Sequence, residues 1–138
     1  MRRSHAVAVV AAVGLTLGTA QVAVGDVGTD PSSCVGFNGQ VDALVINNGV
    51  TYLGGSFTSA IDTNGQSHQR VHLAAVDTAT CALLPWAPST GGNVDAIAVS
   101  GSTVYVGGQF STIDGQARKN LGAVSASDGS VTSFNPAP

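Results

Sequence analysis

The sequence predicts an all-β protein, and three observations carry that prediction: the composition, the turn signals and an internal duplication. Only 9% of the 138 residues are charged, Gly occurs 18 times and Glu is absent. Surface helices are usually rich in Glu, Lys, Ala and Leu, so this composition disfavours a helical fold. Val, Thr, Ser and Gly dominate instead, and they suit short strands joined by tight turns.

The internal duplication is the strongest of these signals. Residues 39–57 align without a gap on residues 92–110, and both segments carry Gly, Val-Asp-Ala, Tyr, Gly-Gly and Phe at matching positions. After a short insertion in the first copy, the match resumes with Ile-Asp, Gly-Gln, Arg and Leu-x-Ala-Val, and it closes on an aromatic residue near Pro. The sequence therefore predicts two repeats, 39–88 and 89–138.

The sequence predicts four short strands in each repeat. They fall at 41–46, 51–53, 73–76 and a strand ending at Trp86, and again at 94–99, 103–106, 121–124 and a strand ending at Phe134. Asn48-Gly49 is the strongest hairpin signal, because both turn residues need a positive φ. Four antiparallel strands in a unit of about fifty residues are typical of β-propeller blades. A β-sandwich seldom repeats its own sequence this regularly, and a parallel solenoid uses shorter units.

Several residue types recur in both repeats, and a scaffold role explains them better than a catalytic one. The double Gly is expected to let neighbouring backbones approach closely or to accommodate a bulge. The recurring Arg is expected to pair with a carboxylate or with backbone carbonyls, and the aromatic residues to fill the spaces between sheets. These structural residues are Gly54, Gly55, Gly107, Gly108, Arg70, Arg118, Tyr52, Phe57, Trp86, Tyr105, Phe110 and Phe134.

The combined pattern resembles a known repeat family. Val-Asp-Ala-(Leu/Ile), Tyr-x-Gly-Gly-x-Phe, Ile-Asp before Gly-Gln, and Arg-x-x-Leu-x-Ala-Val together resemble the delta-60 type repeat of exported bacterial proteins. The Tyr-x-Gly-Gly-x-Phe core also resembles the double-Gly strand of kelch blades. The resemblance covers 39–138 and departs from the pattern by insertions in the first copy. It implies a β-propeller and no defined activity.

The N-terminus predicts export. Arg2 and Arg3 precede an uncharged apolar run at 6–17 and then small residues, as in a secretory signal, and the run is shorter than the roughly 20 residues of a membrane span. We therefore expect a signal within 1–25 to be removed, which leaves a chain that begins near Gln21 or Asp26, and we expect the protein to be secreted, with no membrane contact afterwards. Segment 26–38 could supply a closing strand or the last strand of a preceding blade.

The two cysteines are consistent with the predicted export to an oxidising compartment. Cys34 and Cys81 are the only cysteines of the chain. An even count in an oxidising compartment predicts one disulfide, with two buried thiols or a bridge to another chain as alternatives.

The sequence disfavours several classes of chemistry. The net charge is −3, and after signal removal only Arg70, Arg118 and Lys119 are basic, which disfavours nucleic-acid binding. His68 and His72 lie roughly 13 Å apart in an extended chain, too far to share a metal. The stretch 62–65 lacks the alternating ligands and closing acidic residue of a calcium loop. We therefore predict no catalytic residue, no cofactor and no metal site.

The predicted function is a non-catalytic extracellular binding or scaffold role, with a protein, glycan or small ligand as partner. The alternative is an extracellular hydrolase, lyase or oxidase whose site lies in the loops or outside this chain, and His68 and His72 are then the only candidates. Propellers use four to eight blades, and two blades leave open edges. The sequence is therefore expected to be a fragment of a longer propeller, a unit of an oligomeric ring, or a two-sheet domain that stands alone.

Overall fold

The computed structural model describes residues 34–136. These residues form strands and turns and contain no helix. The predicted signal at 1–25 and the segment 26–33 lie outside the described residues, as do Ala137 and Pro138. No helix in the described range is long and apolar enough to span a membrane.

The described strands form two main antiparallel sheets and two small ones. The first sheet has the order β2-β3-β6 and the second sheet has the order β7-β8-β11, while β1-β4-β5 and β9-β10 form the small sheets. The strands are β1 (Gly36–Phe37), β2 (Val41–Asn47), β3 (Val50–Gly55), β4 (Ser59–Ile61), β5 (Ser67–Gln69), β6 (Leu73–Asp77), β7 (Asn93–Ser100), β8 (Thr103–Gln109), β9 (Thr112–Ile113), β10 (Gln116–Ala117) and β11 (Leu121–Ser125).

The hairpin at the start of each main sheet follows from local turn chemistry. In the first sheet, Asn48 and Gly49 both have positive φ, 52° and 80°, as the turn signal predicts. In the second sheet, Gly101 occupies the corresponding turn with a φ of 61°. Both turns let the strands return at once, so β2 pairs with β3 and β7 with β8. Each repeat therefore forms its sheet from its own residues.

The last predicted strand of each repeat is shorter than expected, so the main sheets have three strands rather than four. Only the isolated bridges Val76–Leu83 and Val124–Val131 continue them. In the first repeat, the Leu84 N–H donates to Ala75, while the Leu84 carbonyl accepts a hydrogen bond from the Arg70 guanidinium at 3.0 Å. The Leu84 carbonyl thus bonds to a side chain at the point where the pairing of this strand ends.

The main core lies between the two sheets, where β7 packs against β2 and β3. Alternate residues of each strand point into it, because successive side chains of a strand point to opposite faces. Its buried members are Tyr52, Leu73, Ala75, Trp86, Val94, Val104, Val106, Phe110, Ile113 and Val124.

A second core covers the other face of the first sheet. The N-terminal segment lays Val35 and Phe37 on this face, and the Phe37 ring lies 4.5 Å from the Phe57 ring, centroid to centroid. The segment is held by β1, which pairs with β4, and by a disulfide between Cys34 and Cys81. Gly36–Phe37 therefore belong to a small separate sheet and do not extend the first sheet as a further strand.

Candidate functional site

A paired Asp and His occur in the insertion of the first repeat. Asp62 and His68 flank the turn between β4 and β5, and His68 Nε2 lies 2.8 Å from Asp62 Oδ2. The other carboxylate oxygen accepts hydrogen bonds from the N–H groups of Asn64 and Gln66, both at 2.9 Å. The Gln66 N–H, and next the His68 ring, lower the pKa of Asp62. The pair thus closes a hairpin, with the carboxylate held ionised beside an imidazole.

His72, the other histidine singled out by the sequence, has a different environment. Its φ is 73°, and its Nδ1 lies 2.9 Å from the Thr90 carbonyl oxygen and 3.2 Å from the Thr90 hydroxyl. The equivalent residue of the second repeat, Asn120, also has a positive φ, 62°. His72 therefore occupies a left-handed turn position and ties the first repeat to the linker before β7.

The recurring arginines make matching contacts in both repeats. Arg70 Nη2 donates to the Leu84 carbonyl at 3.0 Å, and Arg118 Nη2 donates to the Thr132 carbonyl at 2.8 Å. Their Nη1 atoms donate to the carbonyls of Gln69 and Ala117. Burial lowers the pKa of Arg70. Of the two expected partners, carboxylate or carbonyl, both guanidinium groups take the carbonyl.

The four glycines of the double-Gly motifs differ in what surrounds them. A Cβ on Gly55 or Gly108 would collide with the carbonyl of Gln40 or Asn93, beside the bulge that each first strand carries. A Cβ on Gly54 would lie 2.5 Å from Val94 Cγ1 of the second sheet. A Cβ on Gly107 would meet nothing closer than 3.7 Å. Of these four glycines in the described structure, Gly54 is the one that serves the close approach of the two main sheets.

The aromatic residues also divide into covered and open sets. Tyr52 and Trp86 stack edge to face at 5.1 Å in the core between the sheets, and Trp86 Nε1 donates to the Ser125 carbonyl of the second sheet at 2.9 Å. Tyr105 and Phe134 stack in the same way at 5.2 Å, but Phe134 is 38% exposed. Phe57 belongs to the second core and Phe110 to the main core.

The two main sheets present equivalent faces, one covered and one open. The covered face of the first sheet consists of Ala43, Val45, Tyr52, Gly54, Leu73, Ala75 and Trp86, and the second sheet packs on it. The open face of the second sheet consists of the equivalent residues of the second repeat: Ala96, Ala98, Tyr105, Gly107, Leu121, Ala123 and Phe134. None of the described strands covers the open face, whose Leu121 is 39% exposed whereas the equivalent Leu73 is fully buried.

Sequence reasoning did not pair Asp62 with His68, nor did it distinguish the open face from the covered one. Hairpin register was the available signal for the pair, because the turn after Asp62 brings His68 back beside it. Residues 34–136 contain no group of three or more His, Cys, Asp or Glu side chains arranged to hold a metal ion. No family model, curated protein or solved structure matches the chain.

Proposed function

We propose that this chain is a secreted protein of the β-propeller class whose two repeats act as a non-catalytic binding or scaffold unit outside the cell. One observation carries the proposal: the two repeats match in hydrogen bonding as well as in sequence. The amides of Gly55 and Gly108 donate to the equivalent carbonyls of His72 and Asn120, both at 3.1 Å. Equivalent sheets of one chain packed face to face are the arrangement that propeller blades use.

The placement of the recurring polar residues supports a scaffold role. Each Arg, each double Gly and each bulge serves its own sheet or the sheet beside it. A catalytic site usually occurs once, whereas a scaffold contact occurs in every repeat. The delta-60 resemblance points to the same class of exported propeller, and it implies no activity.

The disulfide supports export. Cys34 and Cys81 are bonded, with their Cα atoms 5.0 Å apart, and such bonds persist in oxidising compartments. Together with the charged and apolar pattern of 1–25, this bond favours a secreted protein over a cytosolic one.

The test is to express the full chain in a secreting bacterial host. We expect mass spectrometry of the medium fraction to find a chain that begins near Gln21 or Asp26 and contains no free thiol. That chain is then screened for binding on glycan and extracellular-protein arrays, with a disulfide-free double variant, Cys34→Ala with Cys81→Ala, as the control for folding. Retention of the protein in the cytoplasm with two free thiols would contradict the proposal.

An extracellular enzyme is the second candidate, and the Asp62–His68 pair is the observation that favours it. The pair occurs in the first repeat alone, and a carboxylate that orients an imidazole is a common arrangement for general base catalysis. Comparing His68→Ala with His72→Ala in hydrolase, lyase and oxidase screens tests it. An activity that His68→Ala abolishes and His72→Ala leaves intact would favour the enzyme.

A further inference from the structure

The open face of the second sheet is partly exposed, although its counterpart in the same chain is buried. Leu121 and Phe134 are 39% and 38% exposed, whereas the equivalent Leu73 and Trp86 are 0% and 5% exposed. Both faces carry an equivalent stacked aromatic pair, Tyr with Trp at 5.1 Å and Tyr with Phe at 5.2 Å. The open face therefore has the shape and apolar character of a surface that this chain covers elsewhere.

The chain also carries the surface that would cover the open face. The covered face is packed by β7, whose inward side chains include Val94, Ile97 and Val99. The equivalents in β2 are Val41, Leu44 and Ile46, here called the β2 face. Ile46 is 43% exposed, and Val41 and Leu44 are only partly buried against the second core. The N-terminal residues cover the neighbouring parts of β3 and β6, so Val41 and Leu44 keep only part of their surface exposed and Ile46 lies exposed at the edge of the second core.

From these two surfaces we infer that the open face binds the β2 face of a second copy of this chain. The interface repeats the one already present between the first and second sheets, with β2 of one copy against β7 and β8 of another. The inference deepens the proposed function, on which it rests, by naming the partner of the blade-type unit.

A tight contact in the existing interface, where a glycine has no room for a side chain, shows why the fit is specific. Val94 packs against Gly54, where a Cβ would lie 2.5 Å from Val94 Cγ1. At the equivalent Gly107 a Cβ meets only Asn120 and Leu121, at 3.7 Å and 4.0 Å. Within a single chain Gly107 has room for a methyl group, and it needs to be Gly only when Val41 of another copy packs over it.

The geometry of the contact predicts its symmetry. The two surfaces differ, so each copy binds the next through opposite sides, and such head-to-tail contacts close into a ring when the rotation permits. Because propellers contain four to eight blades and each chain supplies two, the closed ring would hold about two to four copies.

The experiment is light scattering of the secreted, disulfide-bonded chain over a range of concentrations. We expect a discrete oligomer for the wild type and for Gln116→Lys, a control that adds the same charge at an exposed site outside both faces. Leu121→Lys on the open face and Ile46→Lys on the β2 face should each give folded monomers. Gly107→Ala, which fits the free chain, should weaken assembly roughly tenfold or more, because the added methyl overpacks the contact.

Mixing the two lysine variants tests the head-to-tail arrangement. Each variant retains the surface that the other has lost, so the mixture should form a one-to-one dimer although neither variant associates alone. Assembly that Leu121→Lys abolishes and Ile46→Lys leaves intact would overturn the inference, because the open face would then bind itself.

The outcome also separates this inference from the proposed function. A wild-type chain that melts cooperatively but stays monomeric at the highest concentration overturns only the inference, and a further repeat in a longer chain then becomes the occupant to test. A chain that fails to melt cooperatively overturns the packed two-sheet unit on which both depend.

Discussion

The covered face of the first sheet and the open face of the second sheet are built from equivalent residues, yet one is core and the other is surface. Local geometry is the same in both, because Tyr52–Trp86 and Tyr105–Phe134 stack at nearly equal distances and near right angles. What differs is the neighbour. Among the described residues, a second sheet packs on Trp86 but not on Phe134, and the Trp86 indole N–H donates to a carbonyl of that sheet. Local sequence therefore sets the stacking, and tertiary context sets the burial.

Removing the two equivalent aromatic side chains should separate the faces most clearly. Trp86→Ala should cost about 3–5 kcal/mol of unfolding free energy, because it leaves a cavity in the main core and an unpaired Ser125 carbonyl. Phe134→Ala should cost about 1 kcal/mol, the scale of an exposed aromatic pair. Urea unfolding at low protein concentration measures both, and equal losses would show that the two faces are buried alike.

The disulfide gives the next largest effect, and it ties the residues before the first repeat to the first repeat. Replacing Cys34 and Cys81 by Ala should cost about 2–4 kcal/mol, because the bond closes a loop with a sequence separation of 47.

A matched variant isolates backbone strain from the loss of the bond. Cys81 has a φ of 68°, and the equivalent residue in the second repeat is Gly129, with a φ of 78°. Both variants carry Cys34→Ala and differ at position 81. The variant with Cys81→Gly should be about 1 kcal/mol more stable than the variant with Cys81→Ala. Thermal melting compares the two, and a less stable Gly variant would contradict this explanation.

The glycine pair offers a smaller and sharper comparison. Gly54→Ala should cost about 1–3 kcal/mol, because its methyl overlaps Val94 of the second sheet. Gly107→Ala should stay within about 0.5 kcal/mol of the wild type in the monomer, as for other open sites. Denaturant midpoints with unchanged slopes would establish that both variants alter stability alone. A large loss at Gly107 would mean that a sheet already covers the open face.

Acid pH gives the smallest expected effect on stability, and it affects the first repeat more than the second. Hydrogen bonds from backbone N–H groups, chiefly those of Gln66, Thr80 and Ser130, lower the pKa of Asp62, Asp77 and Asp128 from the ordinary 3.8. Each carboxylate thus stabilises the folded state above pH 3.8, and this contribution is lost as pH falls through that value towards the lower folded pKa.

Asn substitutions divide this acid sensitivity between the repeats. Two of the three carboxylates lie in the first repeat, so the pair Asp62→Asn and Asp77→Asn should flatten the pH dependence more than Asp128→Asn does. Denaturant midpoints measured from neutral to acid pH provide the comparison. Equal flattening by the single and the double variant would contradict it.

Much of the fold follows from local pattern. The predicted strands 41–46 and 73–76 agree with Val41–Asn47 and Leu73–Asp77, and Asn48-Gly49 forms the predicted turn. These features depend on alternation and on turn chemistry, which neighbouring residues specify. The last strand of each repeat was predicted to end at Trp86 or Phe134, but its pairing is limited to one bridge, beside a carbonyl that binds an Arg side chain from an earlier loop.

The candidate site was less predictable for the same reason. The sequence marks His68 as unusual, since only one repeat has it, but its carboxylate partner depends on the register of the β4–β5 hairpin. The recurring Arg was expected to take either a carboxylate or a carbonyl, and only the folded chain selects the carbonyl.

The sequence by itself determined the β class, the duplication, the main strands and the residues that the two repeats share. Tertiary structure alone decided which of two equivalent faces is covered, which of two equivalent glycines lacks room for a methyl group, and where each sheet ends. The physical reason is that strand formation and turns depend on residues close in the chain. Burial depends on what packs from outside: among residues 34–136 the second sheet packs on the covered face, whereas no described strand packs on the equivalent open face.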